Sequence, residues 1–205
     1  MRRRLVLLML LLATGGCTDS LLTNHADAPQ VYRLSAAPAV PGGDALAAAL
    51  SVARPRATSA LDTSRIAVVQ PGSAFDYFSG VRWSEPAPQM LQQMLVEALV
   101  ADGRFATTVA APSRVPTEYL LDIEVRSFAA FYAQAGAAPE VRVQWQVTLV
   151  DTRSGARVTS FVAETKATAA ENRRGAVVAA FQQAASAAVQ DTVARIRAAT
   201  AGLVR

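Results

Sequence analysis

Very few side chains in this 205-residue sequence are equipped for covalent or acid–base chemistry. It holds one cysteine, Cys17, and one histidine, His25. A thiol can act as a nucleophile, a disulfide partner or a metal ligand, but a lone cysteine has no second thiol to pair with. His25 lies in a polar stretch of small residues, whereas a catalytic histidine must be held by a third group. One histidine and one cysteine cannot assemble a zinc site either. Carboxylates remain. Asp122 and Glu124 alternate along an apolar–polar run, so both side chains fall on one strand face with Arg126 and Arg142. Two carboxylates can divide general acid and general base work. Charges that pair with one another on a solvated sheet face explain the same pattern without chemistry. The sequence therefore offers no catalytic residue and no metal ligand set.

Cys17 gains its meaning from what precedes it. Arg2, Arg3 and Arg4 lead into an apolar run from Leu5 to Ala13, followed by Thr14-Gly15-Gly16-Cys17. A basic start, a short apolar core and small residues before a cut are the anatomy of a secretory signal. The run falls short of the ~20 apolar residues that a spanning helix needs. A cut directly before Cys17 resembles the lipobox of bacterial lipoproteins, in which the cysteine becomes the acylated first residue. Gly15 and Gly16 fit that pattern; Thr14 stands where leucine is usual. The resemblance implies export and anchoring through a covalent lipid on Cys17, and no other cofactor is expected. Thr18 rather than aspartate follows the cysteine, which in the familiar sorting rule directs the protein to the outer membrane, facing the periplasm.

The chain then divides into a signal over residues 1–16, an acylated tether over 17–30 and one folded domain over 31–205. Fully extended, the tether would reach ~40 Å at ~3.3 Å per residue. Losing the three signal arginines leaves 17 Lys+Arg against 16 Asp+Glu, so the net charge of +4 for the whole chain falls to about +1. That near-neutral balance lacks the basic patch that nucleic acid requires. With 52% hydrophobic residues the domain can bury a core.

The elements that would position any site follow from hydrophobic period. Val31-Tyr32-Arg33-Leu34, Leu46 to Val52, Arg65 to Val69 and Phe105 to Ala110 read as strands. Leu121, Ile123 and Val125 alternate with charged residues, and Val141, Val143, Trp145, Val147 and Leu149 alternate with polar ones. The turn Asp151-Thr152-Arg153-Ser154-Gly155 sends Val158 to Thr168 back as a long hairpin. A first helix is predicted from Glu85 to Asp102, with Ser84 as N-cap and Gly103 in the left-handed position after its end. Met90, Leu91, Met94, Leu95, Ala98 and Leu99 make its apolar face. A second helix is predicted from Asn172 to Ala199, with Val178, Phe181, Ala185, Val189, Val193 and Ile196 near one face and alanines supplying little core. The expected fold is α+β: a mostly antiparallel or mixed sheet with two principal helices packed on one face.

In this order the segments resemble a known family, the auxiliary lipoproteins of ABC-type transport systems. The resemblance rests on Val31-Tyr32-Arg33-Leu34, on Leu61-Asp62-Thr63-Ser64-Arg65-Ile66-Ala67-Val68 and on Phe75 through Trp83-Ser84-Glu85-Pro86. It continues through the helix to Leu99, Pro139-Glu140-Val141 and Ala179-Ala180-Phe181. It implies an α+β domain in an accessory, non-catalytic role. The partners it implies are an MCE-domain protein and an ABC permease/ATPase complex that moves lipid between the two membranes of Gram-negative bacteria.

Phe75, Tyr77, Phe78 and Trp83 crowd into one segment before the first helix. They either pack beneath that helix or form an aromatic patch for a partner, since Trp and Tyr are favoured interface anchors. A docking protein is the leading expectation. A periplasmic lipid-binding carrier, which needs an enclosed apolar pocket, and a lipoprotein activator of a cell-wall synthase are the alternatives. A hydrolase is disfavoured by the missing Gly-x-Ser-x-Gly elbow.

Overall fold

The longest strand organises the molecule. The computed structural model describes residues 28–36 and 45–203, so Cys17, His25 and the signal lie outside the described residues. In chain order the elements are β1 (Gln30–Tyr32), β2 (Leu46–Val52), β3 (Arg65–Gln70), β4 (Ala74–Trp83), α1 (Ala87–Asp102), β5 (Phe105–Ala110), β6 (Tyr119–Phe131), β7 (Glu140–Asp151), β8 (Arg157–Thr168) and α2 (Arg174–Thr200).

At ~3.3 Å per residue, the 13 residues of β6 span ~40 Å. That length lets one edge of β6 carry two neighbours. β2 runs parallel to it along Tyr119–Leu121, and β3 runs parallel to it along Ala130 and Phe131. Between them the connecting chain stays bonded to β6 through the Ala53 N–H, which donates to Leu121 O, and through Arg56, which bridges to Glu124. The sheet therefore forks: β5 extends the branch of β2, while β4 and then β1 extend the branch of β3. On its other edge β6 pairs antiparallel with β7, and β7 with β8. The result is one mixed sheet of eight strands.

Both helices cover the same apolar face. Leu121, Ile123 and Val125 point inward from β6; an extra residue near Arg126 shifts the register, so Phe128 and Ala130 take over. On β7 the inward set is Val141, Val143, Trp145, Val147 and Leu149, all fully buried. α1 packs on β5 and β2, α2 packs on β7 and β8, and the two helices touch. The Trp145 indole N–H donates to Thr192 Oγ1 at 3.0 Å, which pins α2 to the sheet. Among the described residues no helix is long and apolar enough to cross a membrane.

Three details differ from the sequence expectations. α1 begins at Ala87, not Glu85, and Ser84 does not cap it. Pro86 sits at φ −53°, ψ 136°, outside the helical region, and the N–H groups of Ser84 and Ala87 are bonded to Tyr32 O and Thr63 O. The chain is still tied to neighbouring strands there, so the helix cannot start earlier. Gly103 is left-handed as expected, at φ 69°. Second, Phe75 to Trp83 is a strand, β4, turned back on β3 through Gly72 and Ser73, both at positive φ. Third, the alanines of α2 do supply core: Ala184, Ala185 and Ala188 are fully buried. They face a strand that itself carries Ala163 and Ala167, so helix and sheet approach closely, and Thr165 Oγ1 donates to Ala184 O at 2.7 Å.

Candidate functional site

The paired carboxylates resolve first. Asp122 accepts from Arg56 Nη2 at 2.8 Å, while Arg142 pairs with Glu140 at 2.6 Å and Arg126 takes no part. The expected cluster with Arg126 and Arg142 is therefore replaced by one pair with Arg56, which arrives from the loop after β2. The hydrogen bond to Asp122 raises the Arg56 guanidinium above its usual range. No sequence pattern marked Arg56, because its partner lies 66 residues away.

The aromatic segment is more informative, because the structure splits it. Trp83 is 0% exposed and meets Phe128 and Phe181 with ring centroids 5.8 and 5.2 Å away. It belongs to the core and cannot meet a partner. Trp83 is two residues from Val81, so strand alternation places both on the inward face, where each is buried. Phe78 is half-buried and packs against the same core. Phe75 is 46% exposed, at the far end of β4.

Tyr77 bridges the two. Its ring meets Phe75 edge to face at 5.4 Å, its hydroxyl donates to Ala60 O at 3.1 Å, and the Arg65 guanidinium lies 3.5 Å above its centroid. That cation–π contact and the loop hydrogen bond hold Tyr77 still beneath Phe75. Register places Val31, Arg82 and Arg65 side by side across β1, β4 and β3. The outer face of this branch thus carries two aromatic rings, an exposed valine and two arginines. Among the described residues neither Arg65 nor Arg82 is in an ion pair.

Clefts flank the hairpin. One of about 430 Å³ lies between Tyr77, Phe78 and the Tyr132–Asn172 pair, and another of about 450 Å³ runs from Pro29 along β4 to Arg82. Tyr132 donates to Asn172 Oδ1 at 3.0 Å, and burial pushes its hydroxyl pKa up, which keeps it a neutral donor. Beside it Gly80 adopts φ 69°, with the Arg174 guanidinium lying where a side chain would begin. The bend at Gly80 swings Phe78 to Val81 away from the β3 ladder, which resumes at Arg82. Sequence reading missed Arg65 and Arg82; only their place beside a strand edge, invisible without the register, makes them part of the patch.

An eight-stranded mixed sheet with two helices on one face and an aromatic–cationic hairpin at its edge define a small α+β domain. The model of the ABC-type transport auxiliary lipoprotein component matches residues 32–194, and the chain belongs to that family. Its members are lipoproteins, held at a membrane by lipid, that serve ABC-type transport. Among solved structures the chain is similar to a Xanthomonas campestris protein of the DUF330 family, at 26% identity over 85% of this chain and 95% of that one, with a TM-score of 0.71. An uncharacterised protein, 14% identical over 83% and 99%, gives 0.64. A hypothetical protein from Chlamydia trachomatis, 8% identical over 76% and 99%, gives 0.52 and shares the fold alone. No curated protein matches the chain.

Proposed function

We propose that this chain is the outer-membrane-anchored, periplasm-facing accessory lipoprotein of an ABC/MCE-type lipid transport system, and that it works by docking to the assembly. No catalysis and no cofactor beyond the lipid on Cys17 enter this reading. The observation that carries it is the β3–β4 hairpin, which holds an exposed phenylalanine on a clamped tyrosine at an open sheet edge. Rigid aromatic residues of this kind anchor interfaces at low entropic cost. A lipid carrier is less well supported: the clefts around the hairpin are open and lined by polar and apolar side chains alike, whereas an acyl chain needs an enclosed apolar pocket.

The test has two arms. Cys17→Ala should leave a folded protein that is released from the membrane and no longer supports transport; full complementation by the released form would defeat the docking role. Phe75→Ser should weaken binding to the purified MCE-domain protein encoded with the cognate permease. Crosslinking that instead captures a cell-wall synthase, with no MCE partner, would move the assignment to synthase activation.

A further inference from the structure

β4 is ten residues long, yet on its outer edge β1 covers only Val81 to Trp83. On its inner edge β4 pairs with β3 from Ala74 to Tyr77. The Tyr77 N–H donates to Asp76 Oδ1 at 2.7 Å, so it points away from β3. By alternation Phe75 points its backbone groups the same way. Among the described residues no strand lies on this edge beyond Val81. An edge left open in this manner is a template for another chain.

Resting on the docking reading, we propose that the partner binds by strand addition: an extended, acidic segment of the transport assembly pairs with the backbone of Phe75 and Tyr77 on the free edge of β4. Three observations favour this occupant. The edge already accepts an extended segment in register, since β1 lies on its last three residues. Pro29, just before β1, has no N–H and ends that ladder, and among the described residues Ala74 to Tyr77 have no neighbour on this edge. The face beside the edge carries Arg65 and Arg82 without ion-pair partners among the described residues, which suits carboxylates on the incoming strand. Main-chain hydrogen bonds would then supply affinity, and the Phe75–Tyr77 pair would supply the side-chain contact. Asp76 acts as a guard: its carboxylate occupies the Tyr77 N–H until a strand displaces it. The other long edge, on β8, carries Glu164 and Lys166 as a charged pair at 3.6 Å and lacks aromatic residues on its outer face.

Amide hydrogen exchange read residue by residue, with and without the cognate MCE-domain protein, tests the mode. Strand addition predicts at least tenfold slower exchange at Phe75 and Tyr77 in the complex, with little change at Asp76, whose amide faces β3. Arg82→Glu should weaken binding about fivefold or more and flatten its salt dependence, and Asp76→Ala should tighten it. Binding without protection at Phe75 and Tyr77 would overturn strand addition while leaving docking intact. Absence of any binding would remove the docking reading and this inference with it. Protection that appears with rising concentration of the chain alone would assign the edge to a second copy and overturn the partner.

Discussion

Trp83 and Phe75 lie eight residues apart on one strand, and the structure assigns them opposite roles that a denaturation experiment separates. Trp83 is fully buried and packs against Phe128 of β6 and Phe181 of α2. Trp83→Ala removes a large buried ring from a site held by α2 and the sheet, which cannot collapse around the void. Substitutions of that kind cost about 3–5 kcal/mol. Phe75 keeps 46% of its surface in water. Burying a whole phenylalanine contributes about 1.5–3 kcal/mol, so its buried half contributes ~0.8–1.6, and the edge-to-face contact with Tyr77 adds ~0.5, the low end for such pairs, on an exposed face. For a domain of this size each kcal/mol moves the melting temperature by roughly 2–4 °C. Trp83→Ala should therefore lower it by roughly 6–20 °C, against roughly 2–8 °C for Phe75→Ser. Urea titrations of both variants, with unchanged slope, give the free energies directly. A Trp83→Ala loss below about 1 kcal/mol, or a Phe75→Ser loss that exceeds it, would refute the division of the aromatic segment into core and surface. Tyr77 is not a clean probe, because its hydroxyl and ring also hold Ala60 and Arg65.

Thr192→Val keeps the volume of a buried residue but strips the acceptor from the Trp145 indole N–H; an orphaned buried donor costs about 1–3 kcal/mol, measurable by urea unfolding, whereas a neutral result would mean the bond adds nothing. The Glu118 carboxylate accepts the Ala49 N–H at 2.8 Å, the leading cause of its depressed pKa, with Arg153 at 3.0 Å adding to it. A depressed carboxylate contributes stability above the unfolded value, and that contribution is lost as pH falls through the folded value. Melting curves should accordingly show the wild type losing ground on Glu118→Gln as pH drops below about 4.5, and a constant gap from pH 7 to 3 would contradict the linkage.

Elements with a clean period were legible in the sequence, and those defined by distant partners were not. β2 and β5 fall where the sequence places them, and β7 shows its alternation without a break. β4 was missed because its aromatic residues do not alternate cleanly: Phe78 breaks the pattern, and Gly80 bends the strand where Arg174 crosses it. The buried alanines of α2 were undervalued for a related reason. A helix carrying Ala184 and Ala188 is core only if the facing strand is also small, which Ala163 and Ala167 make true. Arg56 gained its partner through a fork in the sheet, and no local pattern records a fork.

The proposed docking edge and the point where the chain enters the domain lie on one strand. The chain entering from residue 28 joins the sheet at β1, on the outer edge of β4. Three parallel pairs are a weak attachment, but the chain is fastened again just beyond them. Leu34 is buried, and Gln182 of α2 holds Ser35 twice, accepting its N–H at 3.1 Å and donating to its carbonyl at 2.8 Å. A pull on the chain entering at residue 28 is therefore borne by α2 and the core as well as by β1. The open part of the edge, at Phe75 and Tyr77, lies about four residues along the same strand, roughly 13 Å from where β1 begins. A strand added there would abut the point at which an anchored chain meets the domain, so membrane attachment and partner contact would load one strand rather than opposite ends of the fold. This placement predicts that a partner bound at the edge restrains the chain around Pro29. Spin labels at Ala28 should lose mobility when the partner binds wild type and keep it when Phe75→Ser abolishes binding; an unchanged label in a verified complex would mean that tether and docking edge act independently.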